Sequence, residues 1–115
     1  AVIHRYFDGV HRGDLAALRE VFHPSAILFG EVRGQTSFRT LDSYLEVVAG
    51  RKSPATLGYP LRASLLSVDR QGAVASVRAR FPLLGFDYLD LLSLAQVEGR
   101  WRIVAKLYIH LEAGG

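Results

Sequence analysis

Asp90 is the residue whose setting most invites chemistry. It lies in an extended run, 88–97, that can pair with 100–110 across a two-residue turn at Glu98-Gly99. That pairing sets Gln96 opposite Trp101, Leu94 opposite Ile103, Leu92 opposite Ala105 and Asp90 opposite Leu107, so an acid lands on an apolar face. A carboxyl group there loses hydration, which favours its neutral, hydrogen-bond-donating form. Such a group could polarise a substrate carbonyl or act as a general acid or base near neutral pH. The competing reading is an Asp90 at the strand end, in contact with water. In the same register Lys106 and His110 fall on the opposite face with Arg102, Val104 and Tyr108, away from any enclosed hollow. A turn one residue longer, or a bulge, would exchange the faces and make Lys106 a candidate for binding an anionic ligand.

The remaining reactive side chains form weaker patterns. His4, Asp8 and His11 lie at i, i+4 and i+7 on a helical segment, a spacing at which two imidazoles and a carboxylate can share a metal. Their face is opposite Tyr6 and Val10 and carries Arg5 and Arg12, so it reads as a solvated helix surface and no metal site is expected. His23 suits the end of a helix, where a polar ring meets the negative end of the dipole. Trp101 and Phe81 are candidates to line or floor a cavity, with plain core packing as the alternative. There is no cysteine, no glycine-rich phosphate loop and no nucleophile elbow, and the serines lack His and Asp partners in order. No cofactor is expected.

The elements that must position these groups are partly legible. Val2, Ile3, Tyr6, Phe7 and Val10 predict a helix closed by Gly13, and Asp14 caps a second helix with Leu15, Leu18, Val21 and Phe22 on one stripe, ended by His23-Pro24. Residues 27–32 and 37–39 predict a short hairpin around Gly34, and Thr40 or Asp42 caps a third helix that Gly50 and Ser53-Pro54 close. Runs 61–69 and 73–81 predict a three-residue hairpin with Gly72 left-handed, which places Leu61, Ala63 and Leu65 on the face of Phe81, Ala79 and Val77. Helices first and a long antiparallel sheet second is an α+β order: three N-terminal helices packed in the concave face of a curved mixed, mainly antiparallel sheet. Such a cone leaves a cavity.

Length and composition bound the alternatives. A chain of 115 residues, half of them apolar, is one domain (1–115) with a core large enough to need no disulfide or zinc. Its 14 basic and 11 acidic residues are spread evenly, with Arg51-Lys52 the only adjacent basic pair, so no nucleic-acid stripe emerges. No apolar run approaches the roughly 20 residues of a bilayer span, so no membrane partner is expected and a cytoplasmic location is. The chain has no methionine and Ala1-Val2-Ile3 reads as helix without a cap, so residues upstream are expected.

Tyr6-Phe7, Gly13-Asp14-Leu15, Phe22-His23-Pro24, Asp90-Leu91-Leu92 and Gly99 through Val104, in this order and spacing, resemble the nuclear transport factor 2-like superfamily, which includes ketosteroid isomerases, polyketide cyclases of the SnoaL-like kind and scytalone dehydratases. Ser53-Pro54, Gly58-Tyr59-Pro60 and the run from Trp101 to Lys106 are most similar to its subgroup labelled lumazine-binding. The resemblance implies a cone with a pocket between helices and sheet, and commonly a homodimer through the outer sheet face. In ketosteroid isomerases a helix-one tyrosine and a strand aspartic acid donate to an enolate oxygen while a second aspartate moves the proton. Tyr6 and Asp90 match the first two; the third position falls on Gly30, and Glu31 one residue later faces the other way on a strand unless a bulge intervenes. The expectation is a small-molecule domain with an apolar pocket for an apolar or aromatic ligand, Tyr6 and Asp90 as catalytic anchors, and Trp101, Phe81, Leu92, Ile103, Phe22 and Glu31 as ligand contacts. If catalytic, it would perform cofactor-free proton transfer next to a carbonyl of a polycyclic or aromatic substrate, in isomerisation, cyclisation or dehydration. The alternative is a non-catalytic dimerisation or protein-interaction module using Leu91, Ala95, Val97, Val104 and Tyr108 on the outer face.

Overall fold

Helix α1 (Val2–Arg12) buries Ile3, Tyr6, Phe7 and Val10, the residues whose helical spacing defines it. The computed structural model describes residues 2–83 and 86–111. Gly13, at φ +67°, ends α1, and the Asp14 carboxylate accepts from the Ala17 N–H at 3.1 Å to start α2 (Leu15–Val21). His23 does not cap that helix. The chain turns extended at Phe22, and the His23 ring Nδ1 accepts from the Ser25 N–H at 3.0 Å at the entrance to β1 (Phe22–Val32). β2 (Gln35–Thr40) returns, and the Thr40 hydroxyl accepts from the Ser43 N–H to open α3 (Leu41–Ala49). Two helices therefore lead the chain, and the third follows the first hairpin rather than preceding the sheet.

β3 (Ser64–Gln71), β4 (Val74–Leu83), β5 (Phe86–Val97) and β6 (Arg100–Leu111) complete a six-stranded sheet ordered β2-β1-β6-β5-β4-β3. The β1/β6 pair is parallel and the other neighbours are antiparallel, which makes the sheet mixed and mainly antiparallel. In the β3–β4 hairpin Gly72 is left-handed at φ +59°, but Gln71 pairs with Val74, so the turn has two residues. A further irregularity at Leu66 sets Leu65 against Ala79 instead of Val77, and Leu61 and Ala63 precede the strand.

The β5–β6 turn is the two-residue form, with Glu98 at φ +52° and Gly99 at φ +77°. Pairing follows the sequence register as far as Leu94–Ile103 and then shifts, because Val104 is an extra residue in β6. Leu92 therefore opposes Lys106, and Asp90 opposes Tyr108. Since side chains alternate along a strand, one extra residue turns Lys106 and Tyr108 to the concave face while Ile103 stays in the core. The helices cover that face, and the core packs Phe7, Leu18, Phe22 and Leu45 against Val77, Ala79, Leu92 and Ile103.

Candidate functional site

Tyr6 and Asp90 meet. The Tyr6 hydroxyl donates to Asp90 Oδ2 at 2.6 Å across 84 residues of sequence, with Tyr6 fully buried and Asp90 2% exposed. Tyr6 is fixed by its ring, which packs edge-to-face on Phe22 and Phe81 with centroids 5.8 and 6.2 Å away. Asp90 is fixed by β5 between Ala79 and Tyr108. Burial first, and then the Asp90 charge, hold the Tyr6 hydroxyl well above the ordinary tyrosine range; Tyr44 adds to this and Arg51 opposes it. Tyr6 thus keeps its proton and spends it on Asp90, and the pair does not present two donors toward a ligand.

Lys106 is the second buried charge, 8% exposed. Its ammonium lies 4.9 Å from the centroid of Tyr44 and 5.2 Å from those of Tyr6 and Tyr108, so three π faces surround it. Among the described residues Nζ has no hydrogen-bond acceptor and no ion-pair partner. Burial works against the ammonium, but Tyr44, Asp90 and Tyr108 act together in the other direction and raise its pKa above the usual lysine value. Lys106 is held as a cation.

These groups open onto a cavity of about 150 Å³ lined by Tyr6, Val10, Val32, Arg39, Tyr44, Val47, Arg51, Phe81, Tyr88, Asp90, Lys106 and Tyr108. A cavity near 150 Å³ accommodates a benzene-sized molecule within it. The pocket expected to be apolar has a mixed lining: beside Val10, Val32, Val47 and Phe81 it holds four tyrosines, three cations and Asp90 as the sole carboxylate among its lining residues. The Val104 bulge and the position of Arg51 at the end of α3 are the reasons.

Of the ligand contacts expected from sequence, Phe81 lines this cavity. Phe22, Leu92 and Ile103 are solid core behind it. Trp101 lies elsewhere, stacked under the Arg70 guanidinium at 5.1 Å and lining a separate depression with Arg5, Glu20 and Arg100. Glu31 points to the outer face: β1 has no bulge at this point, and Glu31 pairs across to Thr36 and Ile109 while Gly30 faces inward. The room that Gly30 leaves is filled by Tyr108, whose ring atoms would sit 2.2 Å from a Cβ added there. Tyr108, expected on the outer face, instead bonds to the Ser37 hydroxyl at 2.8 Å inside the cone. On α1, His11 Nε2 donates to the Tyr59 carbonyl at 2.7 Å and Asp8 pairs with Arg12. Among the described residues no group of three potential metal ligands gathers.

Sequence reasoning missed Arg39, Tyr44, Arg51 and Tyr88 as site residues. The signal for Arg51 was present: Tyr44, Val48 and Arg51 continue one helical stripe past the Gly50 cap.

Comparison with known proteins agrees with the architecture. A curated relative from a Cladobotryum species, named aldolase FrzH, is 23% identical over 110 residues, covering 94% of this chain and 85% of its own length. A crystal structure of an NTF2-like protein of unknown function from Shewanella baltica superposes with a TM-score of 0.84 at 26% identity, covering 97% of this chain and 90% of that one. An NTF2-like protein from Silicibacter pomeroyi, also of unknown function, gives 0.80 at 24%, with coverages of 96% and 90%. The family model described as "Putative lumazine-binding" matches residues 1–109, and the chain belongs to that family, on the nuclear transport factor 2-like fold.

Proposed function

We propose that the cavity binds a small carbonyl compound and moves a proton at the carbon beside the carbonyl. The observation that carries this is the buried Tyr6–Asp90 hydrogen bond beside an unpaired Lys106 ammonium on one cavity. Tyr6 occupies Oδ2 of Asp90, which orients the carboxylate and leaves Oδ1 as the base. The C–H proton passes to Asp90, and the electron pair moves onto the carbonyl oxygen as an enolate. Lys106 supplies the positive charge for that oxygen, and the charge is already in place. Returning the proton to another carbon gives an isomer; attack of the enolate carbon on a second carbonyl gives an aldol product. The relative named an aldolase fits the same first step, because aldol chemistry also starts from an enolate or its equivalent. The roles differ from the ketosteroid isomerase arrangement: Asp90 is the base here, and Lys106 replaces the paired donors.

The test is hydrogen–deuterium exchange at the α-carbon of acetone and cyclopentanone in D₂O, followed by proton NMR. Asp90→Asn keeps the shape and removes the base, and it should lower exchange by about 100-fold or more. Tyr6→Phe should lower it less, since it loosens the base without removing it. Wild-type exchange no faster than buffer, or an Asp90→Asn variant as fast as wild type, sinks the proposal.

A second reading concerns the outer face. Ile27, Phe29 and Phe38 of β1 and β2 and Leu91, Leu107 and Ile109 of β5 and β6 are exposed there on adjoining strands. A continuous apolar face of this kind supports a homodimer. It differs from the surface expected from sequence, since Tyr108 lies inside and Leu107 and Ile109 take its place. It is compatible with the proton-transfer reading.

A further inference from the structure

The cavity carries more positive charge than its chemistry needs. Arg39, Arg51 and Lys106 line it against one carboxylate, a surplus of two. Arg39 reaches the Ser43 hydroxyl at 3.3 Å. Arg51 Nη2 is buried with no hydrogen-bond partner, and Lys106, more than nine-tenths buried, also lacks an acceptor among the described residues. A buried donor left unmade costs about 1–3 kcal/mol, and more when charged, so Arg51 Nη2 on the same cavity as the Lys106 ammonium indicates that an acceptor arrives from outside. An aromatic cage of Tyr6, Tyr44 and Tyr108 would ordinarily select a cationic ligand, but Lys106 already fills it.

We infer that the ligand is an organic anion: a compact carboxylic acid whose carboxylate is received by Arg51 and Lys106. The hydrocarbon part has its own wall, because Val10, Val32, Val47 and Phe81 line the same space. An inorganic anion would leave that wall uncovered. The volume limits the body to about one six-membered ring or a short chain. This deepens the proton-transfer reading and rests on the same cavity being the ligand site; in those terms the substrate is an oxo-acid.

Calorimetric titration with benzoate and its neutral isostere benzamide at pH 7 tests the inference. Benzoate should bind at least about tenfold more tightly, the effect of a charge-assisted hydrogen bond. Arg51→Gln should remove most of that preference, bringing the ratio of benzoate to benzamide affinity to within about twofold of one. Lys106→Gln should act in the same direction, which keeps the test decisive if one variant fails to fold. Benzamide binding as tightly as benzoate overturns the anion inference and leaves the cavity as a ligand site. Inorganic phosphate displacing benzoate at equal concentration also overturns it. Absence of binding by both aromatic probes overturns the cavity as a ligand site, and the anion inference with it.

Discussion

Gly30→Ala tests how the site is built. In an ordinary strand this change is mildly favourable, by roughly 0.5–1 kcal/mol, because alanine loses less backbone freedom on folding than glycine. Here the added Cβ would lie 2.2 Å from Cε2 and Cζ of Tyr108 and 2.4 Å from Cδ2. Carbon atoms prefer separations near 3.5–4.0 Å, so the ring must move by more than about 1 Å. The ring cannot give way freely: its hydroxyl bonds to Ser37 at 2.8 Å, its edge packs on Tyr88 with centroids 6.1 Å apart, and its face covers Lys106. Overpacking of this kind costs about 1–3 kcal/mol, and loss of the Ser37 bond adds about 1. Net destabilisation of about 1–3.5 kcal/mol is expected, read as a lowered urea midpoint at unchanged slope. In a Tyr108→Ala background the collision is gone, and the same Gly30→Ala change should be neutral or stabilising. A single variant within about 0.5 kcal/mol of wild type, or the same cost in both backgrounds, would refute this account of how Gly30 seats Tyr108.

The buried groups also set the alkaline limit of the fold. Tyr6 and Lys106 have folded pKa values above their ordinary 10.0 and 10.5, so between each ordinary value and the higher folded one the unfolded chain has shed a proton that the folded chain keeps. Their contribution is therefore complete below about pH 10 and is lost as pH rises through the folded values. Urea midpoints should fall from pH 9 to 11 more steeply for wild type than for Tyr6→Phe, and parallel profiles would contradict this. For the outer face, Phe29→Glu should convert a dimer to monomer in sedimentation equilibrium, whereas Glu31→Gln on the same strand face should leave the mass unchanged; a dimer that tolerates the buried charge of Phe29→Glu uses another surface.

What could be read from the sequence was local. Asp14 and Thr40 cap their helices through their own carboxylate or hydroxyl oxygen, and Gly99 takes the left-handed position of the two-residue β5–β6 turn that suits glycine. The β3–β4 register was not legible for a physical reason. Every residue of β3 is exposed, so no burial alternation selects one pairing over a neighbouring one. Within the site, the Tyr6–Asp90 pairing could be anticipated from resemblance, whereas Arg39 enters only through the β1–β2 register, opposite Leu28.

Val104 decides what the hollow contains. As far as Ile103, β6 turns its odd-numbered residues toward the helices, and without an extra residue the next inward side chains would be Ala105, Leu107 and Ile109. Asp90 would then be one carboxylate in hydrocarbon, a state that costs several kcal/mol unless it is neutralised or paired. The bulge exchanges those three apolar groups for Lys106, Tyr108 and His110 on the inward parity, and places the ammonium in the same enclosure as the acid. The dependence runs both ways: Lys106 among Arg39 and Arg51 would lack any negative charge nearby if Asp90 were absent. Acid and ammonium are therefore tolerable in this interior only together. The donors that still lack an acceptor among the described residues, Arg51 Nη2 and the Lys106 ammonium, are the part of the site left for a ligand to satisfy.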